Sequence, residues 1–135
     1  MTTSPEWGTI IDNQGAVDFF EAKNKMDISY ANSKIRKICT DAKIAKKTLG
    51  DDGAKFLRIR LDQMSEAANL EKLRYSPGDW HELVGNRKGE IACCLLGRVR
   101  LIFTPANDPL PTKPDGGLDW SNVTAVMNLE IVDYH

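Results

Sequence analysis

The sequence is poor in the residues that build the common catalytic and metal sites. Its 135 residues include three cysteines and two histidines, and the cysteines show no metal-ligand spacing. It has neither a glycine-rich phosphate loop nor a Gly-x-Ser-x-Gly turn. Cys39 and the adjacent pair Cys93–Cys94, which lies in an apolar run, are best interpreted as buried free thiols. We therefore predict a protein without a metal or cofactor.

Long hydrophobic runs are also missing. No segment approaches the roughly 18–20 consecutive apolar residues of a membrane helix. Pro5, Glu6 and Trp7 stand where a signal peptide would carry basic and then apolar residues. We therefore expect a cytoplasmic protein with no membrane partner. The length and a hydrophobic content of 41% fit one compact domain with a single core.

The first half of that domain is predicted to hold one strand and two helices. Residues 26–31 alternate in a way that predicts a short strand. Asn32 or Ser33 can cap a first helix, whose apolar residues recur every three or four positions until Gly50. Residues 51–68 continue this spacing as a second helix, with acidic residues at its start.

The second half is predicted to consist of strands, because a turn cluster at residues 75–79 changes the pattern. The loop at 105–120 is too rich in proline and glycine for regular structure. The predicted strands are residues 80–84, 90–96, 99–104 and 123–132. Together with the helices they predict an α+β fold, in which a two-helix hairpin packs on an antiparallel sheet of about four strands.

Two further expectations concern the end strand and the domain limits. In the last strand, Met127, Leu129 and Ile131 are expected to face the helices, and Asn128 and Glu130 the more polar side. The domain is predicted to span residues 26–135. Residues 1–25 are then an N-terminal extension of unknown role, or sequence upstream of a start at Met26.

Four residues near the predicted strands have the chemistry needed to cleave a phosphodiester. His81 and His135 are the two histidines of the chain, and a pair of imidazoles can divide the work of general base and general acid. Arg98 and Arg100 stand two apart, so on one regular strand they would share a face and bind phosphate oxygens. This set suits metal-independent RNA cleavage, in which a ribose 2′-OH attacks the adjacent phosphorus.

Neighbouring residues extend the set, and each member also has a structural interpretation. Asp133 can orient an imidazole, and Tyr134 can stack on a base or donate its hydroxyl proton. Arg87 and Lys88 are candidates for RNA contact. The structural alternatives are a solvated sheet face for the arginines, a hydrogen-bonded strand end for the first histidine, and a frayed terminus for the last.

At these residues the sequence resembles the RelE/HigB toxins of type II toxin–antitoxin systems, which serve plasmid maintenance. The resemblance covers residues 26–135 and includes the strand-helix-helix-strand order. It is carried by the segments 80–89 (WHELVGNRKG), 97–103 (GRVRLIF) and 130–135 (EIVDYH).

The resemblance implies an endoribonuclease that enters the ribosomal A site, cuts translated mRNA and so inhibits translation. Its implied partners are the ribosome, the mRNA and a neutralising antitoxin of the helix-turn-helix type. HigB-type members use a histidine in the second strand and a C-terminal Asp-Tyr-His cluster, which match His81, Asp133, Tyr134 and His135. The arginines of the Gly-Arg-x-Arg strand, Arg98 and Arg100, take the phosphate-stabilising part. RelE-type members place basic residues around the cleft, and Arg87 and Lys88 match these.

Two other functions fit the same resemblance. One is a ParE-like inhibitor of DNA gyrase, for which catalytic residues are unnecessary. The other is a catalytically inactive member that acts only by binding an antitoxin. The first predicts loss of DNA supercoiling while translation continues, and the second predicts no effect on growth.

Overall fold

The computed structural model describes residues 25–134. The predicted extension, apart from Lys25, and His135 therefore lie outside the described residues. Three helices and five strands follow one another in an order that places the helices in the first half and most strands in the second. The elements are β1 (Asp27–Tyr30), α1 (Ser33–Thr40), α2 (Ala42–Glu66), α3 (Leu70–Arg74), β2 (His81–Glu82), β3 (Ile91–Cys94), β4 (Val99–Pro105) and β5 (Ala125–Asp133).

The first predicted helix is in fact two helices. Asn32 caps α1 as predicted, since its Oδ1 accepts a hydrogen bond from the Ile35 N–H at 3.0 Å. Asp41 then takes an extended conformation and ends α1. Its carboxylate accepts hydrogen bonds from the Lys43 and Ile44 N–H groups and caps α2. The prediction of one continuous helix to Gly50 was wrong because this aspartate satisfies free backbone donors.

A predicted break at Gly50 is confirmed, although the chain resumes its helical path immediately. Gly50 has φ 80° and ψ 171°, which lies outside the helical region and favours glycine. The helical residues on either side form α2. The short helix α3 was not predicted, because its five residues are too few for the apolar period to be recognised.

The sheet is mixed and has five strands in the order β1-β5-β4-β3-β2. The predicted α+β class is therefore confirmed, but the antiparallel sheet of about four strands was wrong. β1 pairs in parallel with β5, while the other neighbours are antiparallel. The direction of β1 relative to β5 depends on how the helices and loops between them connect the two strands. The alternating apolar residues of β1 predict a strand but do not show its direction.

One face of the sheet packs against the helices and forms the core. Leu57, Leu61 and Met64 of α2 meet Leu101 and Phe103 of β4 there. The prediction of buried thiols is confirmed for Cys39 and Cys93, which are 3% and 0% exposed, whereas Cys94 is half-buried.

A bulge in β5 reverses which residues face the core. Phe103 pairs with Asn128 and the preceding Ile102 pairs with Glu130, so Leu129 is the extra residue. Before the bulge, Val126 and Asn128 are buried; beyond it, Ile131 packs on the core. The expected inward position of Met127 and outward position of Asn128 were therefore wrong, whereas those of Ile131 and Glu130 are confirmed.

Asn128 is a polar side chain in an apolar place. It has no exposed surface, and its Nδ2 and Oδ1 atoms find no hydrogen-bond partner among residues 25–134. We expect Asn128→Leu to raise the free energy of unfolding by about 1 kcal/mol or more, because burial of an unpaired amide is costly. Urea denaturation measures this difference. The exposed Asn86→Leu is the control, and a less stable Asn128→Leu protein would contradict the expectation.

Candidate functional site

His81 lies at the outer edge of the sheet, on β2, and its imidazole is open to solvent. Its Nδ1 is 2.7 Å from the backbone carbonyl oxygen of Asp79, and the side chain is 45% exposed. A carbonyl only accepts hydrogen bonds, so Nδ1 must carry the hydrogen. In the neutral imidazole Nε2 then has a lone pair, and it meets no hydrogen-bond partner among the described residues. This is the protonation state that a general base needs.

The strand register places His81 on the face of the sheet opposite the core. Directly paired residues share a face, and His81 pairs with Ala92, which pairs with Ile102, which pairs with Glu130. Arg100 stands two residues before Ile102 and therefore projects from the same face. The structure thus brings one histidine and one arginine of the predicted set to a common surface, which we call the outer face.

The predicted pair of arginines on one strand was wrong. Arg98 lies in the turn between β3 and β4, because β4 begins at Val99. Arg100 is half-buried, and its Nη1 donates to the carbonyl oxygens of Gly97 at 2.9 Å and of Val99 at 3.1 Å. These bonds hold the guanidinium over the turn, while the N–H groups of Nε and Nη2 have no hydrogen-bond partner among residues 25–134.

The described C-terminal residues do not contact His81. The backbone N–H of Tyr134 donates to the carbonyl of Arg98 at 3.1 Å, which holds the end of β5 beside the turn. Asp133 lies on β5, three strands away from β2. It is three residues beyond Glu130, the β5 residue in the same row as His81. Strand spacing makes this separation roughly 18 Å. His135 lies outside the described residues.

Asp133 also belongs to the other side of the sheet. Its partner Val99 shares a face with Leu101, which is part of the core. Asp133 lines a groove of about 730 Å³ between the helices and the end of β5, with Ile35, Leu49 and Leu129 among its walls. The predicted set is therefore divided between the outer face and this groove.

The two basic candidates after β2 differ in their surroundings. Arg87 is engaged with two carboxylates, at 2.7 Å from Glu90 and 2.6 Å from Glu130. The hydrogen bond to Glu130 is the largest of the effects that raise the pKa of Arg87. Lys88 is exposed. Glu130 pairs with Ile102 and therefore lies on the outer face. The Arg87 side chain crosses that face to reach Glu130 and helps to cover it. Of the two cations, Lys88 is therefore the more accessible.

Comparisons with protein-family models, with curated proteins and with solved structures give no match. The resemblance to RelE/HigB toxins therefore rests on the sequence segments that carry it. Within residues 25–134 there is no group of three or more His, Cys, Asp or Glu side chains arranged to hold a metal ion. None of the helices in that part of the chain is long and apolar enough to cross a membrane.

The two buried cysteines, Cys39 and Cys93, are poor nucleophiles at neutral pH. Burial raises the pKa of the Cys39 thiol to about 11, against a smaller opposing effect of Arg58. Burial also raises the pKa of the Cys93 thiol well above its usual range. Both side chains remain thiols, whereas the thiolate is the nucleophilic form.

Sequence reasoning missed two residues that shape the outer face. Asp79 was predicted only as part of a turn, yet its carbonyl oxygen lies 2.7 Å from Nδ1 of His81. Glu130 was predicted only as a polar residue of β5, yet it binds Arg87 across the sheet. The spacing of Asp79 two residues before a histidine was the only sequence signal, and nothing local shows that Glu130 meets a residue 43 positions away.

Proposed function

We propose that this protein is a metal-independent endoribonuclease and the toxin of a type II toxin–antitoxin system. The observation that carries the proposal is the outer face itself, where the solvent-exposed His81 has its Nδ1 beside the Asp79 carbonyl and shares a surface with Arg100. The resemblance to RelE/HigB toxins supports the choice of translated mRNA as the substrate. A cognate antitoxin of the helix-turn-helix type and the ribosome are the proposed partners, and the cytoplasm is the proposed location.

The outer face supports attack by the ribose 2′-OH. Nε2 of His81 takes the 2′-OH proton, the 2′-oxygen forms a bond to phosphorus, and the bond from phosphorus to the 5′-oxygen breaks. Arg100 donates from Nε and Nη2 to a non-bridging oxygen, where charge develops. The products are a 2′,3′-cyclic phosphate and a 5′-hydroxyl, with the leaving oxygen protonated by an acid. DNA lacks the nucleophile and should not be cut.

The leaving 5′-oxygen takes its proton from a water molecule in this proposal, because the described end of β5 lies roughly 18 Å from His81 and cannot reach the same phosphorus. Tyr134 is 46% exposed beside the turn that carries Arg98, and His135 follows it. Because the end of β5 is distant from His81, the two ends of the outer face contact different parts of an extended RNA strand. Arg98 and Lys88 then bind flanking phosphates. Arg87 is already paired with Glu90 and Glu130, so its main part is to stabilise the outer face.

Induced expression in bacteria tests the proposal. We expect the wild-type chain to stop translation and to leave cleaved mRNA with 5′-hydroxyl ends. Arg100→Met should restore growth, because it removes the phosphate-binding donors but keeps most of the side-chain volume. Arg36→Met, which changes an exposed arginine of α1, is the matched control and should remain toxic. Loss of DNA supercoiling with continuing translation would instead indicate a gyrase inhibitor.

A second candidate is partner binding without catalysis, which the groove beside Asp133 favours. About half of its walls are apolar, with Ile35, Leu49 and Leu129 among the apolar residues. Apolar concave surfaces are typical of protein interfaces. This candidate predicts no effect on growth, together with a complex between this chain and the product of the adjacent gene that Leu129→Lys disrupts.

A further inference from the structure

The turn between α3 and β2 is held from several sides. The carbonyl of Pro77 accepts hydrogen bonds from Nε2 of Gln63 at 2.9 Å and from Nε1 of Trp80 at 3.0 Å. The carbonyl of Gly78 accepts one from the N–H of Cys94 at 2.8 Å. Helix α2, the indole ring and strand β3 therefore all determine the path of the chain just before His81.

The next residue in this turn has an unusual backbone. Asp79 has φ 53°, and it is the one residue other than glycine in the described part of the chain with a positive φ. Aspartate enters this left-handed region at modest cost, whereas β-branched residues do so rarely. This conformation directs the carbonyl of Asp79 to Nδ1 of His81, at 2.7 Å.

A buried arginine supports the same turn. Arg60 is 7% exposed, and its hydrogen bonds within residues 25–134 go to carbonyl, amide and sulfur atoms rather than to a carboxylate. Its Nε donates to the carbonyl of Cys94 at 2.8 Å and its Nη1 to Gln63 at 3.1 Å. A Cβ added at Gly78 would lie 2.9 Å from that Nε, so the guanidinium packs directly against the turn. The cation thus ties α2, the end of β3 and the turn together.

We propose that Asp79 is a positioning residue for His81, acting through the direction of its backbone carbonyl in a turn that Arg60 holds in place. The inference rests on the proposed function, because His81 is the base of that reaction. The carbonyl keeps the hydrogen on Nδ1 and leaves Nε2 to receive the 2′-OH proton. Once Nε2 is protonated, the same carbonyl still accepts from Nδ1, and the Asp79 carboxylate at 3.8 Å adds a favourable charge.

The position of the hydrogen can be measured directly. Nitrogen-15 NMR of the labelled full-length chain distinguishes a protonated from an unprotonated ring nitrogen, and a His135→Gln protein assigns the signals of the two histidines. We expect the neutral His81 ring to carry its hydrogen on Nδ1. A ring with its hydrogen on Nε2 in the wild-type protein would overturn the inference without recourse to any variant.

Two substitutions separate the backbone of Asp79 from its carboxylate. Asp79→Gly removes the carboxylate but permits the left-handed backbone, so we expect the Nδ1–H form to persist, with a smaller fall in cleavage than in Asp79→Val. Asp79→Val disfavours that backbone, so we expect a mixture of tautomers and a cleavage rate at least about tenfold lower.

The outcomes also distinguish this inference from the proposed nuclease. Loss of the Nδ1–H form in Asp79→Gly, or its persistence in a folded Asp79→Val protein, would overturn the positioning role. If the tautomers follow the expected pattern but no protein cleaves RNA on ribosomes, the nuclease is overturned and the positioning of His81 stands.

Discussion

His81→Gln is expected to lower the rate of RNA cleavage by about 10²- to 10⁴-fold, the range associated with loss of a general base. Glutamine retains the size and polarity of the side chain, but its amide cannot take a proton at neutral pH. The fold should be unaffected, because the imidazole is 45% exposed and the one hydrogen bond that it makes to residues 25–134 lies within the turn.

Single-turnover cleavage of mRNA on stalled ribosomes measures the effect, and thermal unfolding verifies the fold. Val84→Ala is a suitable control, since Val84 is 84% exposed and lies two residues beyond β2. We expect the control to cleave at the wild-type rate. A His81→Gln protein that cleaves as fast as the control would exclude His81 as the base and favour a protein that acts by binding alone.

Phe103→Ala is expected to lower the free energy of unfolding by about 3–5 kcal/mol, the usual cost of removing a buried phenyl ring. Phe103 has no exposed surface, and its ring packs edge-on against Trp80 with the centroids 5.9 Å apart. It pairs with Ile91 on one side and Asn128 on the other, so the cavity would open in the middle of the sheet.

Equilibrium denaturation in urea gives this value. Ile59→Ala is the comparison, because Ile59 is 40% exposed on α2 and its truncation should cost about 1 kcal/mol or less. Since a small domain is stable by only about 5–15 kcal/mol, the Phe103→Ala protein should lose a large share of its stability. A cost below about 1 kcal/mol would show that the core does not depend on this ring.

The helical half was largely predictable because its signals are local. Asn32 caps the first helix and Gly50 interrupts the helical backbone, as the sequence indicated. Both effects depend on a few neighbouring residues. The extra break at Asp41 was missed because an aspartate inside an apolar period can either face solvent or cap a new helix, and the sequence pattern is the same in both cases.

The sheet was predictable in its strands but not in its pairing. The strands after residue 80 were expected near their observed positions, since apolar runs and turn residues define them. The parallel position of β1 and the bulge at Leu129 depend on contacts between distant parts of the chain. The bulge alone moves Asn128 inside, and a strict period of two cannot show it.

The sequence by itself determined the chemical groups on which the proposed function depends: the imidazole of His81, the guanidinium of Arg100 and the strands that carry them. Only the tertiary structure decided how these groups are arranged, because that depends on register, strand order and the turn at Asp79. It places His81 and Arg100 on the outer face, turns Asp133 toward the groove, and neutralises Arg87 with two carboxylates. It also holds the carbonyl of Asp79 at 2.7 Å from Nδ1 of His81, the contact on which the proposed positioning of this imidazole depends.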